Sequence, residues 1–235
     1  MYNADFLNVI KASFLKYLQT GSRSNEKLRI LHGAISQDLS QRLNDDCYRI
    51  ASLGFGVGRE REISGRYMNK RVDIVVADSE MPIAGIAVKF IMSNYKQNSN
   101  NYFENMLGET ANIRCGNCPY FQIVIIPERI PYYDSNKQIT HWETVDEHNL
   151  QKYINLSNDN EEFYLHTPNK TLLCVVKFSF KRDSDISSFQ ELSSYFLNNP
   201  FTVSFSAKRF QFGRTVIYND FEKYAKKIAY NIKSI

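Results

Sequence analysis

Residues 71–90 read RVDIVVAD-SEMP-IAGIAVKF, and this stretch decides how the chain is expected to fold. Two apolar runs flank a short segment that contains a proline, which is typical of two β-strands joined in a hairpin. Each run carries one charged residue, Asp73 or Lys89, and a charge inside an apolar strand needs a partner because its desolvation costs free energy. If the hairpin is centred on Met81, Asp73 and Lys89 lie opposite each other with their side chains on one face. The pattern predicts a functional site at the end of this hairpin.

The segments that follow the hairpin predict a strand–helix–strand crossover. A polar loop leads into a predicted helix over residues 99–114, which carries Glu104 and Glu109. Tyr120–Ile126 is a continuous apolar run of strand length after that helix. A connection of this length sets Tyr120–Ile126 parallel to the strand over 83–92.

The rest of the chain alternates between helical and extended patterns. Apolar residues at helical spacing predict two helices in the first 45 residues, with Gly21 ending the first. A strand is expected over 60–64, and the region after Pro127 is less regular, with residues 131–133 in a loop. Further elements are expected as a short helix within 141–156, a strand over 171–180, and helices over 187–197 and 217–232. We expect one α/β domain of residues 1–235, with a helical N-terminal part (1–46), a catalytic core (about 58–127) and a basic C-terminal part (170–235).

The hairpin resembles the active-site motif of the PD-(D/E)XK nuclease superfamily, and within it the type II restriction endonucleases. That motif has Asp on one strand and Glu-x-Lys on the next, whereas this chain reads Ala87-Val88-Lys89 and has Val72 where the motif has proline. Restriction enzymes that read CCGG-type sites show a similar departure, with the carboxylate supplied by a glutamate about four helical turns further on. Glu104 and Glu109 follow Lys89 by 15 and 20 residues, so either is a candidate for the relocated acid.

The resemblance covers roughly residues 58–127 and implies a restriction-endonuclease-like mixed central β-sheet flanked by helices. It also implies Mg²⁺-dependent hydrolysis of phosphodiester bonds. Asp73 is then the fixed metal ligand, Glu104 is preferred over Glu109 as the second, and the Val88 carbonyl is a third contact. Lys89 would orient the attacking water and stabilise developing negative charge. The alternative interpretation is an Asp–Lys ion pair that only closes the hairpin.

Two groups of residues are predicted to contact double-stranded DNA. Asn and Gln can read an adenine edge and Lys can bind a phosphate, which points to the polar stretch after Lys89; its candidates are Asn94, Tyr95, Lys96, Gln97, Asn98 and Asn101. The alternative is a loop whose amides cap the following helix. Basic residues of the C-terminal part are expected to grip phosphates, namely Lys208, Arg209 and Arg214.

The charge distribution and the cysteine content indicate which kind of partner and which cellular location to expect. With 29 Lys and Arg against 25 Asp and Glu the net charge is +4, but 170–235 holds 11 bases and 5 acids while 134–169 holds 2 bases and 7 acids. This asymmetry suits a protein that turns one side toward a polyanion. No signal peptide or membrane-spanning segment is apparent, and four scattered cysteines predict reduced thiols and a cytoplasmic location. Cys115 and Cys118 form a lone CxxC, interpreted as a tight turn or else as part of a metal site.

Three further features are interpreted as structural. The glycine-rich run 54–58 lacks the residues of a phosphate-binding loop and is expected to be a flexible connection. Glu60 and Glu62 alternate with arginines and are expected on a solvated strand, although they could point toward the site. His32, in the second helix, is expected to be satisfied or solvated.

The leading hypothesis is a type II restriction endonuclease that acts as a homodimer, because cutting both strands of a palindromic site takes two active sites related by a two-fold axis. A repair or recombination nuclease of the same fold is the second interpretation. A DNA-binding module without catalysis is the third.

Overall fold

The structure is a computed structural model that describes residues 1–179 and 186–235. The predicted end of one strand, Phe180, lies outside the described residues. The described part of the chain contains six helices and eleven strands. The helices are α1 (Asn3–Thr20), α2 (Glu26–Leu43), α3 (Tyr95–Arg114), α4 (Glu147–Ser157), α5 (Phe189–Asn198) and α6 (Phe221–Lys233). The strands are β1 (Tyr48–Ser52), β2 (Arg61–Ser64), β3 (Asn69–Val72), β4 (Ile74–Asp78), β5 (Met81–Phe90), β6 (Tyr120–Pro127), β7 (Arg129–Tyr133), β8 (Ile139–Thr144), β9 (Lys170–Ser179), β10 (Thr202–Phe205) and β11 (Val216–Tyr218).

The central sheet is mixed and has the order β1-β4-β5-β6-β9-β10, with β11 also paired to β9. The strands β5, β6 and β9 run parallel, whereas β4 is antiparallel to both β1 and β5. The predicted parallel crossover from β5 through α3 to β6 is therefore confirmed. All eight residues of β6 are buried, as expected for a strand covered by helices on both faces.

The β4–β5 hairpin is tighter than the sequence predicted. Asp78 pairs with Met81, a bulge separates Val76 from Ala77, and Ile74 pairs with Ile86. The predicted register, centred on Met81, is therefore wrong by two residues. Pro82 is part of β5, and the two-residue turn is closed by Ser79 at φ 53°.

Helices cover the two faces of the sheet. On one face α1, α2 and α6 pack through Ile10, Ile35 and Ile228 against strand residues such as Ile86 and Val88. On the other face α3 and α4 pack against β6 and β9, with Tyr95 and Tyr153 among the buried side chains. Because alternate strand residues face opposite layers, the neighbours Val88 and Lys89 point to different sides of the sheet.

A second hairpin, β2–β3, leads directly into β4 and is held by the C-terminal part of α3. The Asn112 amide donates to the Met68 carbonyl at 2.9 Å and accepts from the Tyr67 and Met68 N–H groups. The chain pairs in β3 as far as Val72 and resumes pairing, with β1 and β5, at Ile74. Asp73 thus stands at the junction between two strands that belong to different sheets.

Two segments that were predicted as loops belong to a helix and to a strand. The helix α3 begins at Tyr95 and not at residue 99, so most of the asparagine-rich stretch is helical. Residues 131–133 belong to β7, which pairs with β8 in a third hairpin. Within the part of the chain that the structure describes, no helix is long and apolar enough to cross a membrane.

Candidate active site

A cleft of about 450 Å³ opens where β5 and β6 run past the junction at Asp73. Its floor is formed by strand residues and its walls by the start of α2, the end of β3 and one face of α3. The lining includes Lys27, Lys70, Arg71, Asp73, Ala87, Val88, Lys89, Tyr102, Asn105, Glu109 and Gln122. Four of these side chains are basic and two are acidic, so the cleft itself suits an anionic ligand.

Asp73 is fixed at the base of the cleft by the strand beside it. Its Oδ2 accepts a 2.7 Å hydrogen bond from the main-chain N–H of Val88. Burial raises the pKa of the Asp73 carboxyl to about 6, and the Glu109 carboxylate adds to this rise. The hydrogen bond from Val88 and the charges of Lys89 and Lys70 oppose the rise without cancelling it. A nearby cation favours the ionised form of a carboxyl group whose pKa is raised by burial.

Lys89 lies two residues beyond Ala87 and faces α3. Its Nζ sits 4.6 Å from the ring centroid of Tyr102, a distance at which the ammonium interacts with the ring face. Among the described residues Lys89 has no carboxylate within ion-pair distance, so the predicted direct pairing of Asp73 with Lys89 is wrong. The register explains this: continuing from the Ile74–Ile86 pair, Asp73 comes opposite Ala87.

Glu109, and not Glu104, is the α3 glutamate that lines the cleft. One carboxylate oxygen of Glu109 accepts a hydrogen bond from the Tyr120 hydroxyl, and the other oxygen lies 3.1 Å from Lys70 Nζ. Glu104 is exposed, and its charge acts on Lys152 of α4. The two glutamates are five residues apart, which turns them about 140° around a helix. Of the two predicted candidates for the relocated acid, Glu109 lines the cleft and Glu104 does not, and the role of either as the acid stays a prediction.

A second group of side chains meets Asp73 from the α2 side of the sheet. These side chains are His32 and Glu60. One potential ligand atom from each of His32, Glu60 and Asp73 lies within 4.8 Å of the other two. His32 is fully buried, and burial lowers its pKa to about 4. Burial and the nearby Asp73 charge raise the pKa of Glu60. Asp73 is thus shared between the cleft and this second group.

The glycine-rich run is what carries Glu60 to this position. Gly54, Gly56 and Gly58 have φ of 80°, 59° and 70°, so the run is a series of turns that favour glycine. A Cβ on Gly33, next to His32, would lie 2.8 Å from the Gly54 carbonyl oxygen. The close approach of the two backbones holds the loop against α2. The interpretation of this run as a flexible connection is replaced by that of a packed turn.

The asparagine-rich stretch mostly holds the start of α3. The Asn94 side-chain amide donates a hydrogen bond to the Tyr133 carbonyl and accepts one from the Tyr133 N–H. Tyr95 is fully buried, and its hydroxyl donates a hydrogen bond to the Asn149 carbonyl. Asn98 donates to the Asn94 carbonyl. The side chains of Asn94 and Tyr95 are thus engaged within the protein, and the DNA contacts proposed for these two residues stay a prediction. Lys96, Gln97 and Asn101 are exposed but do not line the cleft.

The predicted phosphate-gripping residues of the C-terminal part also lie outside the cleft. Lys208 donates to the Val145 carbonyl at 2.7 Å and lies 3.5 Å from Glu128. Arg214 pairs with Glu161 at 2.9 Å, and Arg209 is exposed beside α4. The positive charge of Lys208 is thus met by Glu128, and that of Arg214 by Glu161 of the acidic stretch 134–169.

The CxxC segment forms the turn that ends α3. The Gly116 N–H donates to the Ile113 carbonyl, and Asn117 adopts a φ of 62°. Cys118 is buried, which raises the pKa of its thiol to about 11. Within the described residues, the three-ligand group of His32, Glu60 and Asp73 contains neither cysteine.

Sequence reasoning did not place His32, Tyr102 or Gln122 at the cleft or beside Asp73, and it preferred a solvated strand for Glu60, although helix periodicity could have indicated some of these residues. His32 falls on the apolar stripe of Leu28, Ile35 and Leu39, and Glu109 falls on a stripe with Met106 and Ile113. A polar residue on a core-facing stripe is the signal that marks it. Glu60 carries no such signal, because its position depends on the turns before it.

Comparisons with protein-family models, with curated proteins and with solved structures find no match to this chain. The class that its architecture defines is an α/β protein with a mixed central sheet flanked by helices.

Proposed function

We propose that this protein is a metal-dependent nuclease of the restriction-endonuclease type that hydrolyses phosphodiester bonds in double-stranded DNA. The observation that carries the proposal is that Asp73, Lys89 and Glu109 line one basic cleft at the end of a hairpin. These residue types supply two carboxylates and one ammonium, which is the set that phosphodiester hydrolysis assisted by a metal ion uses.

The donor set of the cleft fits Mg²⁺. This ion takes hard oxygen ligands, usually one or two carboxylates, and keeps waters and substrate oxygens for its remaining positions. Asp73 and Glu109 would supply the carboxylates, and their mutual repulsion supports the need for a cation. In an antiparallel pair the N–H and C=O of one residue point toward the same neighbouring strand. The Val88 carbonyl therefore points to the same side as the N–H that bonds Asp73, and it would be the third ligand. When bound, Mg²⁺ would polarise the scissile phosphate and its bound water.

The free ammonium of Lys89 supports a catalytic role. Its Nζ lies 4.6 Å from the ring centroid of Tyr102, and among the described residues no carboxylate lies within ion-pair distance of it. The ammonium is therefore available to hold the attacking water and to stabilise charge that develops on the phosphate oxygens. An ion pair that only closed the hairpin would have placed Lys89 against Asp73.

The basic rim of the cleft supports a nucleic-acid substrate. Arg71 lies 3.8 Å from the exposed Glu62 and Lys70 lies 3.1 Å from Glu109, but Arg71 is largely exposed and Lys70 is partly exposed. Each can therefore approach a phosphate group. Such contacts position a duplex without reading its sequence. Because a palindromic site carries two equivalent phosphodiesters, we propose that two copies act together around a two-fold axis.

Cleavage of supercoiled plasmid with and without Mg²⁺ tests the proposal, with Lys89→Ala as the catalytic variant. A matched control is Lys227→Ala, which removes an exposed lysine of α6 outside the cleft. Discrete fragments that require Mg²⁺ and Lys89 are expected. Nonspecific cutting would favour the repair-nuclease interpretation, and binding without cutting would leave only the DNA-binding module.

A further inference from the structure

We propose that His32, Glu60 and Asp73 form a binding site for a divalent first-row transition-metal ion, of the Mn²⁺-to-Zn²⁺ class. The inference goes beyond the proposed nuclease activity, since it depends on neither Lys89 nor Glu109. It rests on two independent observations, the convergence of three donors from separate segments and an unpartnered buried imidazole.

The three donors come from segments far apart in sequence and converge on one point. One donor atom from each residue lies within 4.8 Å of the other two. An ion about 2.1 Å from each donor allows two donors to be at most about 4.2 Å apart. Small side-chain rotations are therefore enough to close the three donors around an ion.

The environment of His32 is the second, independent observation, and it indicates that a ligand binds between the three donors. The side chain is completely buried on the inner face of α2, and neither ring nitrogen has a hydrogen-bond partner among the described residues. Buried polar groups in proteins are nearly always paired. An imidazole turned toward two carboxylates without a bond to either is accounted for by an ion between them.

The surroundings keep the donors in place and leave a route to solvent. The Asp73 carboxylate uses Oδ2 for the Val88 N–H, which leaves its Oδ1 for an ion. The contact of Gly33 with the Gly54 carbonyl fixes the loop next to His32. Glu60 is partly exposed and also lines a neighbouring cleft that it shares with Phe55 and Arg61.

The imidazole sets the class of ion. Imidazole nitrogen suits Zn²⁺, Co²⁺ and similar ions, whereas Mg²⁺ and Ca²⁺ favour sites made of oxygen alone. The site is thus chemically distinct from the Mg²⁺ position proposed in the cleft, although both share Asp73. The two positions flank one carboxylate, on the α2 and the α3 side of the sheet.

Binding of Co²⁺ to the metal-free full chain tests the inference, read by visible absorption and by isothermal titration calorimetry. One ion per chain is expected, with an absorption spectrum that excess Mg²⁺ leaves unchanged. Glu60→Gln and His32→Gln should each weaken Co²⁺ binding at least about tenfold. The control Glu62→Gln alters an exposed glutamate two residues from Glu60 and should bind Co²⁺ as the wild type does.

Wild-type affinity for Co²⁺ in Glu60→Gln would overturn the assignment even if His32→Gln fails to fold, since Glu60 is not a core residue. Displacement of Co²⁺ by equimolar Mg²⁺ would overturn the class of ion. Plasmid cleavage measured on the same protein separates the two proposals. Cleavage without Co²⁺ binding contradicts this site alone, and Co²⁺ binding without cleavage contradicts the nuclease alone.

Discussion

The main-chain N–H of Val88 donates a 2.7 Å hydrogen bond to the Asp73 carboxylate, across the gap where β3 ends and β4 begins. The bond ties the junction between β3 and β4 to β5. It fixes one carboxylate oxygen at the strand end, with α2 on one side and α3 on the other. Every prediction about the site depends on this placement.

Asp73→Asn should stabilise the metal-free protein while it removes metal binding. The amide oxygen can still accept from Val88, but the cost of burying a charge is lost. Because the pKa of Asp73 is raised to about 6, the carboxylate destabilises the fold at neutral pH. We expect a gain of about 1–3 kcal/mol in unfolding free energy at pH 7.

Urea denaturation in the presence of a chelator measures this gain. It should shrink as the pH falls through 6 toward 4, because the wild-type carboxyl then becomes protonated in the folded state before it does in the unfolded state. A variant less stable than wild type at pH 7 would show that the charge of Asp73 stabilises the fold.

Glu109→Ala should abolish Mg²⁺-dependent cleavage, and Glu104→Ala should leave it intact. The first removes a carboxylate from the cleft, whereas the second changes an exposed side chain of the same helix. Plasmid cleavage at several Mg²⁺ concentrations separates the two. The opposite pattern would return the role of second acid to Glu104.

Adding Ala87→Glu to Glu109→Ala should restore part of the activity. Residue 87 lines the cleft opposite Asp73, so a glutamate there rebuilds Glu-x-Lys with Lys89. Recovery of Mg²⁺-dependent cutting by the double variant is the expected result. No recovery in a folded double variant would mean that residue 87 cannot reach the metal position.

Much of the architecture follows from sequence because it depends on local pattern. The apolar run of β6 and the stripes of α1 and α2 identify elements whose burial the tertiary structure requires. The hairpin register was not predictable, because the turn at Ser79 and the bulge after Val76 together shift it by two residues. Such a shift moved Lys89 away from its predicted partner while keeping it in the cleft.

The residues around Asp73 could be predicted only in part, because some of them are far from Asp73 in sequence. Asp73, Val88 and Lys89 come from one hairpin, and so proximity in sequence indicated them. His32 and Glu60 reach Asp73 through the packing of a glycine turn on α2, which no local pattern reveals. The choice between Glu104 and Glu109 needed the rotation of α3 against the sheet.

Arg71→Ala should weaken binding to all DNA sequences and reduce the salt dependence of binding by about 0.9 in log–log slope, the value for one phosphate contact. Arg71 is largely exposed at the cleft. Arg214→Ala should leave the slope unchanged, because Arg214 pairs with Glu161 away from the cleft. Fluorescence anisotropy over a range of salt concentrations measures both. A lower slope for Arg214→Ala alone would place the duplex on the C-terminal part.

Asn112→Ala should destabilise the protein by about 1–3 kcal/mol, because the β2–β3 loop loses its hydrogen bonds to the end of α3. Thermal or urea unfolding measures this change. The matched control is Asn101→Ala, an exposed residue of the same helix, which should shift stability by less than about 0.5 kcal/mol. Equal stability of the two variants would mean that the hairpin docks without Asn112.

Single-turnover cleavage of plasmid DNA by wild type and Lys89→Ala, at saturating Mg²⁺ and with the same fraction of DNA bound, tests whether Lys89 is catalytic. Lys89 acts on charge that develops in the transition state, so the variant should bind DNA normally and cut it roughly 10³-fold more slowly. Cutting at the wild-type rate by a folded Lys89→Ala variant would contradict the assignment of this cleft as a nuclease active site.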